Sequence, residues 1–138
     1  MNTWESELTA SIESKNEAQA ISIFAEGFPI NFRLHMKDIR GNIYLGHTTP
    51  LHAACEYKLF ELIQYLLASG AQIESTDFEG RTPLLLAAEL GSLDVIRSLI
   101  DSGSNINQVD FEGNSILHLA VINVHIETVE FLIKTIRI

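Results

Sequence analysis

Histidine, cysteine and carboxylate side chains are the groups in this chain that could bind a metal ion or move protons. The five histidines and the single cysteine are His35, His47, His52, His118, His125 and Cys55. The spacing of the histidines, the cysteine and the glutamates matches no known zinc site. A single cysteine also excludes a multi-cysteine metal site and an internal disulfide. We therefore predict that the protein holds no metal ion and no cofactor.

Motifs for nucleophilic or phosphate chemistry are missing from the sequence. It contains no Gly-x-Ser-x-Gly, no phosphate-cradling glycine-rich loop and no Asp-x-Asp calcium loop. Two acid pairs, Asp77/Glu79 and Asp110/Glu112, recur thirty-three residues apart. Recurrence marks them as features of a repeated turn, and acid–base catalysis would also need a cleft. We predict no catalytic residue and no enzyme activity.

Length and charge narrow the function further. The 138 residues suit one domain, and 46% hydrophobic with 20% charged residues is typical of a globular protein. A net charge of −9 argues against nucleic-acid binding, which requires clustered Lys and Arg. No apolar stretch is long enough to cross a membrane. The polar, acidic start lacks the apolar run of a secretory signal, which indicates an intracellular, cytoplasmic protein and leaves a secreted effector open.

A repeat of thirty-three residues organises the chain. Residues 77–88, DFEGRTPLLLAA, return as DFEGNSILHLAV at 110–121, and TPLHAAC at 49–55 stands thirty-three residues before TPLLLAA. The residues Thr49, Thr82 and Ser115 can cap a helix, and proline follows the two threonines at the first helical position. Further along each repeat, apolar residues at i, i+3, i+6 and i+7 predict a second helix.

A period of thirty-three with TPLH at a helix start resembles the ankyrin repeat. The resemblance implies an all-α solenoid of helix-turn-helix units with β-hairpin loops. It implies about four repeats in one domain, 1–138, including divergent caps: a cap repeat at 6–31, a finger insertion at 32–42, and repeats at 44–74, 77–107 and 110–138. In this family the motif histidine hydrogen-bonds within and between repeats, which gives His52 and His118 a structural role.

The two ends of the repeat array match the pattern less closely. At the N-terminus the cap repeat aligns with the repeat at 44–74 at a spacing of forty-three residues instead of thirty-three. The finger accounts for the additional residues. A terminal repeat needs a polar outer face, and the candidates are Glu5, Glu7, Glu13, Lys15, Asn16 and Glu17. In the last repeat, Val124 occupies the position at which Gly91 separates the two helices of the preceding repeat. The finger either binds a partner or shields the edge of the cap.

The resemblance also implies where a partner binds, because ankyrin proteins usually use the hairpin tips and the inner face of the first helices. Stacked repeats place equivalent residues side by side in rows. The matching residues are Ile43, Thr76 and Val109 before the tips; Leu45, Phe78, Phe111, Glu79, Glu112, Thr48, Arg81 and Asn114 at the tips; and Glu56, Tyr57, Glu89, Leu90, Ile122 and Asn123 at the ends of the first helices. Exposed aromatics in a row favour an interaction surface; the alternative is that the phenylalanines fold back onto the adjacent hairpin.

These features favour a non-catalytic protein-interaction module that acts as an adaptor or inhibitor, with an immunity-type or antitoxin-type neutraliser as the most specific form. The glutamates around the tip row predict a partner with an apolar patch flanked by basic residues. Four repeats exceed the roughly three that a stable stack needs, so we expect a monomer. The alternative is a fragment of a larger ankyrin-containing effector or scaffold protein, and an enzyme is the remote alternative.

Overall fold

The computed structural model describes residues 3–35 and 48–136, and these residues form eight α-helices. The helices are α1 (Thr3–Glu13), α2 (Glu17–Ala25), α3 (Pro50–Glu56), α4 (Phe60–Ala68), α5 (Pro83–Leu90), α6 (Leu93–Asp101), α7 (Ile116–Ile122) and α8 (Ile126–Ile136). They follow one another in four pairs, each joined by a short turn. Apart from one antiparallel bridge between Leu34 and Thr48, the described residues hold no β-structure. The helical repeat fold predicted from the sequence is confirmed. The loops that we call hairpins before α5 and α7 are tight turns, in which the N–H groups of Asp77 and Asp110 donate 3.0 Å hydrogen bonds to the carbonyls of Arg81 and Asn114.

The chain divides into two compact units, the first ending at Gln72 and the second beginning at Ile73. In the first unit α1 packs on α2, α3 on α4, and α2 on α4. In the second unit α5 packs on both α6 and α7, and α7 packs on α8. The largest fully buried side chains are Leu8, Ile12, Leu34, Leu51, Leu62, Ile63 and Leu66 in the first unit, and Leu84, Leu85, Ile96, Leu99 and Ile116 in the second.

Three helices that come first in their pair, α3, α5 and α7, each begin with a side-chain cap. The hydroxyl groups of Thr49, Thr82 and Ser115 each accept a hydrogen bond from the backbone N–H three residues further on. A proline follows the cap in α3 and α5, where the missing N–H costs nothing. The Nδ1 atoms of His52 and His118 lie 2.8 Å from the cap hydroxyl of their own helix. Both histidines therefore hold a helix start, which agrees with the hydrogen bonding within a repeat that the resemblance implied.

In every pair, a residue with left-handed backbone conformation ends the helical path between the two helices. These residues are Lys15, Lys58, Gly91 and Val124, with φ angles of 60, 56, 71 and 58°. The third is the only glycine among them, so the other three bear the steric cost of a Cβ in this conformation. Val124 bears the largest cost because it is β-branched, and it is also exposed. The last repeat therefore keeps the geometry of the break although it lost the glycine.

Replacing Val124 with glycine should raise the free energy of unfolding by about 1 kcal/mol, since relief of the left-handed strain exceeds the added entropy of the unfolded chain. Urea denaturation followed by circular dichroism measures the change. The control is Val121→Gly, which removes another exposed valine, at 55% against 72% for Val124, from helical backbone in α7. That control should lose about 0.5 kcal/mol. A loss of stability in both variants would contradict the strain at Val124.

The described start of the finger, residues 32–35, packs on the first helix. The Trp4 ring stacks on Phe28 at a centroid distance of 5.0 Å and meets Phe32 edge-on at 5.1 Å. Leu34 is fully buried, and its N–H donates a 2.7 Å hydrogen bond to the Thr48 carbonyl. This part of the finger covers the cap, whereas the rest of it, residues 36–42, lies outside the described residues.

Two of the glutamates that we assigned to the polar outer face of the cap lie elsewhere. Glu5 is buried, because its Oε1 accepts a hydrogen bond from the His35 N–H and lies 2.6 Å from the Nδ1 of the same residue. Glu17 accepts a 2.9 Å hydrogen bond from the Leu62 N–H at the start of α4. The prediction was wrong for Glu5 and incomplete for Glu17, since both carboxylates bind distant segments of the first unit.

Equivalent side chains also tie neighbouring turns together within each unit. In the first unit the Asn31 side chain accepts a 2.9 Å hydrogen bond from the Gln72 N–H. In the second unit the Glu74 carboxylate accepts a 2.7 Å hydrogen bond from the Asn105 N–H. The two acceptors occupy equivalent positions of successive repeats, so the same contact joins one turn to the next.

Candidate partner-binding surface

Two hairpin tips of the second unit are built around aspartates. The Oδ1 atom of Asp77 accepts hydrogen bonds of 2.9 Å from the N–H groups of Glu79 and Arg81. Asp110 repeats the arrangement with the N–H groups of Glu112 and Asn114, at 2.9 and 2.8 Å. The aspartates of the acid pairs noted in the sequence are therefore turn-forming groups, and the Oδ1 atom of each binds the backbone.

Phe111 lies on the hairpin tip that follows Asp110, and most of its ring is exposed to solvent. Its side chain is among the most exposed large apolar groups, at 77%. Its N–H donates a 3.1 Å hydrogen bond to the Glu79 carbonyl, and its ring lies so close to Gly80 that a Cβ there would sit 2.5 Å from Cδ1. One side of the ring thus packs on the adjacent hairpin while the rest stays accessible. The ring therefore folds back onto the adjacent hairpin on one side, as the alternative interpretation expected, and is exposed on the other, as the binding interpretation requires.

Arg81 lies inside a cluster of carboxylates rather than on an exposed tip. Its guanidinium contacts Glu89 and lies 3.5 Å from both Glu79 and Asp110. Burial alone would lower the pKa of Arg81, but Glu89, Glu79 and Asp110 hold it above its usual value. Three carboxylates around one guanidinium leave an excess of two negative charges. Our placement of Arg81 on an exposed row is corrected: it is buried, because it neutralises part of this acidic cluster.

The buried carboxylate of Asp110 joins this cluster to its own hairpin. Oδ2 accepts hydrogen bonds from the Asn114 side chain at 3.2 Å and from Arg81 Nε at 3.5 Å. Burial would raise the pKa of Asp110, but hydrogen bonds from Asn114, a further one from the Glu112 N–H, and the charge of Arg81 lower it below its ordinary value. The aspartate is therefore held ionised, and the tip stays negatively charged.

In the first unit an acidic group surrounds Tyr57 at the ends of α1 and α3. Burial first, and then the charges of Glu13 and Glu56, raise the pKa of Tyr57. The sequence-based site included Glu56 and Tyr57 but missed Glu13. The signal was present, because Glu13 precedes Glu56 by the same forty-three residues that align the cap repeat with the next one.

The remaining predicted residues divide by exposure. Thr76, Val109, Glu112, Ile122 and Asn123 are exposed, while Leu90 and Asn114 are half-buried. Phe78 is 43% exposed. Thr48, which we expected at an exposed tip, is buried because it pairs with Leu34. Ile43 and Leu45 lie outside the described residues.

Groups for metal or thiol chemistry are not assembled in residues 3–35 and 48–136. No cluster of three His, Cys, Asp or Glu side chains in these ranges could hold a metal ion. Cys55 is fully buried in α3, and burial raises the pKa of its thiol, which disfavours the reactive thiolate. Among the helices described, none is long and apolar enough to cross a membrane.

Comparison with known families agrees with the repeat geometry. A family model described as ankyrin repeats, in three copies, matches residues 51–138, which is more than half of the chain. The match begins at the first residues of α3 and covers the hairpin tips of the second unit. No curated protein matches the sequence.

Proposed function

Because the chain belongs to the ankyrin-repeat family, whose members generally bind other proteins and are typically non-catalytic, we propose that it captures a partner protein through its hairpin tips and first helices. In this role it acts as an adaptor or an inhibitor, and a neutraliser of the immunity or antitoxin type is the most specific form of the proposal. The observation that carries it is Phe111, which is held on Gly80 with most of its ring exposed, next to the buried carboxylate of Asp110.

The chemistry of these surfaces favours a basic partner with an apolar patch. An exposed aromatic ring supplies contact area at little entropic cost. In the second unit, the negative excess around Arg81 and the exposed Glu112 attract basic side chains. In the first unit, Glu13 and Glu56 beside Tyr57 offer the same combination of ring and carboxylate. With a net charge of −9, we expect a protein partner and neither nucleic acid nor an anionic membrane surface.

Affinity capture with matched baits tests this proposal. Wild-type protein should retain a partner from the source lysate, and the variant Phe78→Ser/Phe111→Ser should lose it, because both substitutions remove apolar contact area from the tips. The loss should be at least tenfold in bound partner, measured by quantitative mass spectrometry. Circular dichroism establishes that the bait is still helical.

The control bait is Phe60→Ser. Phe60, at the start of α4, is 40% exposed, which closely matches the 43% of Phe78. It should retain the partner as the wild type does. Equal capture by all three baits would reject the tip surface of the second unit, and equal loss in the two variants would show that exposed phenylalanines act unspecifically.

A further inference from the structure

The outward face of α8 combines two exposed isoleucines with two unpaired charges of opposite sign. Ile126 and Ile133 are 65% and 57% exposed. Glu127 and Lys134 are exposed on the same side of the helix and make no ion pair with the described residues. The opposite side of α8 carries the buried Leu132. This face carries none of the residues in the proposed partner-binding surface.

Helix geometry places these four side chains in two short rows. Residues seven apart lie on one face of an α-helix, two turns and about 10 Å from each other. Ile126 and Ile133 therefore form one row, and Glu127 and Lys134 form the row beside it. The apolar row is flanked by a row with a negative end and a positive end.

This pattern is complementary to itself under a two-fold rotation. The midpoint of the isoleucine row falls between Val129 and Glu130, and the midpoint of the charged row is one residue further along. An axis at Glu130 thus sets α8 antiparallel to α8 of a second copy. Each Ile126 then meets Ile133 of the other copy, and each Glu127 meets Lys134. From this match we propose that the chain forms a two-fold symmetric dimer through α8.

The preceding repeat shows why the match is particular to α8. The positions equivalent to Glu127 and Lys134 are Asp94 and Asp101 of α6, both acidic and both exposed. The same antiparallel pairing of α6 would set like charges against each other. Self-pairing is therefore a property of this helix and not of the repeat in general.

The dimer is weak for two physical reasons. Contact through one helix per copy buries less than the roughly 1,200–2,000 Å² of stable complexes. The two Glu130 side chains also face each other across the axis, although each can turn toward Lys134 of its own helix, four residues on. The repeat count alone favours a monomer, and a monomer accordingly remains the main form in dilute solution.

Sedimentation velocity with charge-exchange variants tests the proposal. Between about 10 μM and about 1 mM the wild type should shift from monomer toward dimer. Glu127→Lys and Lys134→Glu should each weaken the dimer at least tenfold, because each brings like charges together. An equal mixture of the two should associate again, and so should the double variant. Glu130→Gln should tighten the dimer.

The outcomes separate this interface from unspecific association. Circular dichroism of every variant controls for folding, which exposed substitutions leave intact. A wild type that stays monomeric throughout this range would overturn the proposal. Single charge variants that dimerise like the wild type would overturn it as well, and so would a mixture that fails to associate. None of these results depends on the capture experiment at the hairpin tips.

Discussion

Replacing Gly91 with alanine lowers the free energy of unfolding by about 3 kcal/mol, which is among the largest single effects we expect outside the core. The left-handed backbone, with φ at 71°, costs an alanine about 1 kcal/mol. The new Cβ would also lie 2.4 Å from Nδ1 of His125. The imidazole must then move, and it loses the 2.7 Å hydrogen bond between its Nε2 and the Glu89 carbonyl. Urea denaturation measures the sum.

A double-mutant cycle separates the two causes. In a His125→Ala background no ring opposes the new methyl group, so Gly91→Ala should cost only about 1 kcal/mol there. The difference between the costs of Gly91→Ala in the two backgrounds is the part of the destabilisation that comes from the steric clash and the lost hydrogen bond. The same cost in both backgrounds would show that His125 does not constrain residue 91.

Asp110→Ala should destabilise the protein by about 3 kcal/mol, and Asp77→Ala by about 1 kcal/mol. Both aspartates accept two backbone hydrogen bonds within their hairpin, so the loss common to both variants is that of the turn. Asp110 is in addition buried and binds Arg81, whose charge loses a partner in the variant. Urea denaturation at neutral pH compares the two. Equal losses would contradict the role of Asp110 in the Arg81 cluster.

The pH dependence of stability gives a second readout at Asp110. Its pKa in the folded protein lies below the ordinary value of 3.8. The stabilisation is therefore complete above about pH 5 and is lost as the pH falls below 3.8 toward the folded pKa. The difference in unfolding free energy between wild type and Asp110→Asn should shrink in this acid range. A difference that stays constant down to acid unfolding would show that Asp110 is not held ionised by its neighbours.

The features that repeat were predictable, because every copy of the motif confirms the others. The caps at Thr49, Thr82 and Ser115 lie one period apart, and each side chain forms the expected hydrogen bond. The break at Val124 was not predicted, because valine disfavours this conformation and we took it as a departure from the pattern. Its left-handed φ follows from its position, since Gly91 occupies the same place in the preceding repeat.

Contacts between non-equivalent residues were not predictable, because periodicity carries no information about them. Glu5 binds His35 thirty residues away, and Arg81 reaches Asp110 in the next repeat. We placed Glu5 on the surface because a terminal repeat needs a polar outer face, and Arg81 because of its position in the repeat. In each case a polar partner from a distant segment compensates the burial, and a sequence without an alignment does not show such pairs.

The proposed site was predictable as a region and less so residue by residue. The row positions identified the exposed Phe111 and the half-exposed Phe78. They also included Thr48 and Arg81, whose side chains point into the protein, and they omitted Glu13. Position in a repeat determines where the backbone lies, whereas the neighbours of each side chain decide whether it is accessible.

Site-specific photo-crosslinking tests the central claim, that a partner protein binds at the hairpin tips, most directly. Introducing p-benzoylphenylalanine at position 111 preserves an aromatic ring at the exposed tip, and the same residue at position 60, another exposed phenylalanine, serves as the control. After irradiation in the source cells, we predict a crosslinked protein of one defined mass at position 111 and none at position 60. Crosslinks at position 60 alone, or at neither position while wild-type protein still captures a partner, would contradict binding at the tips.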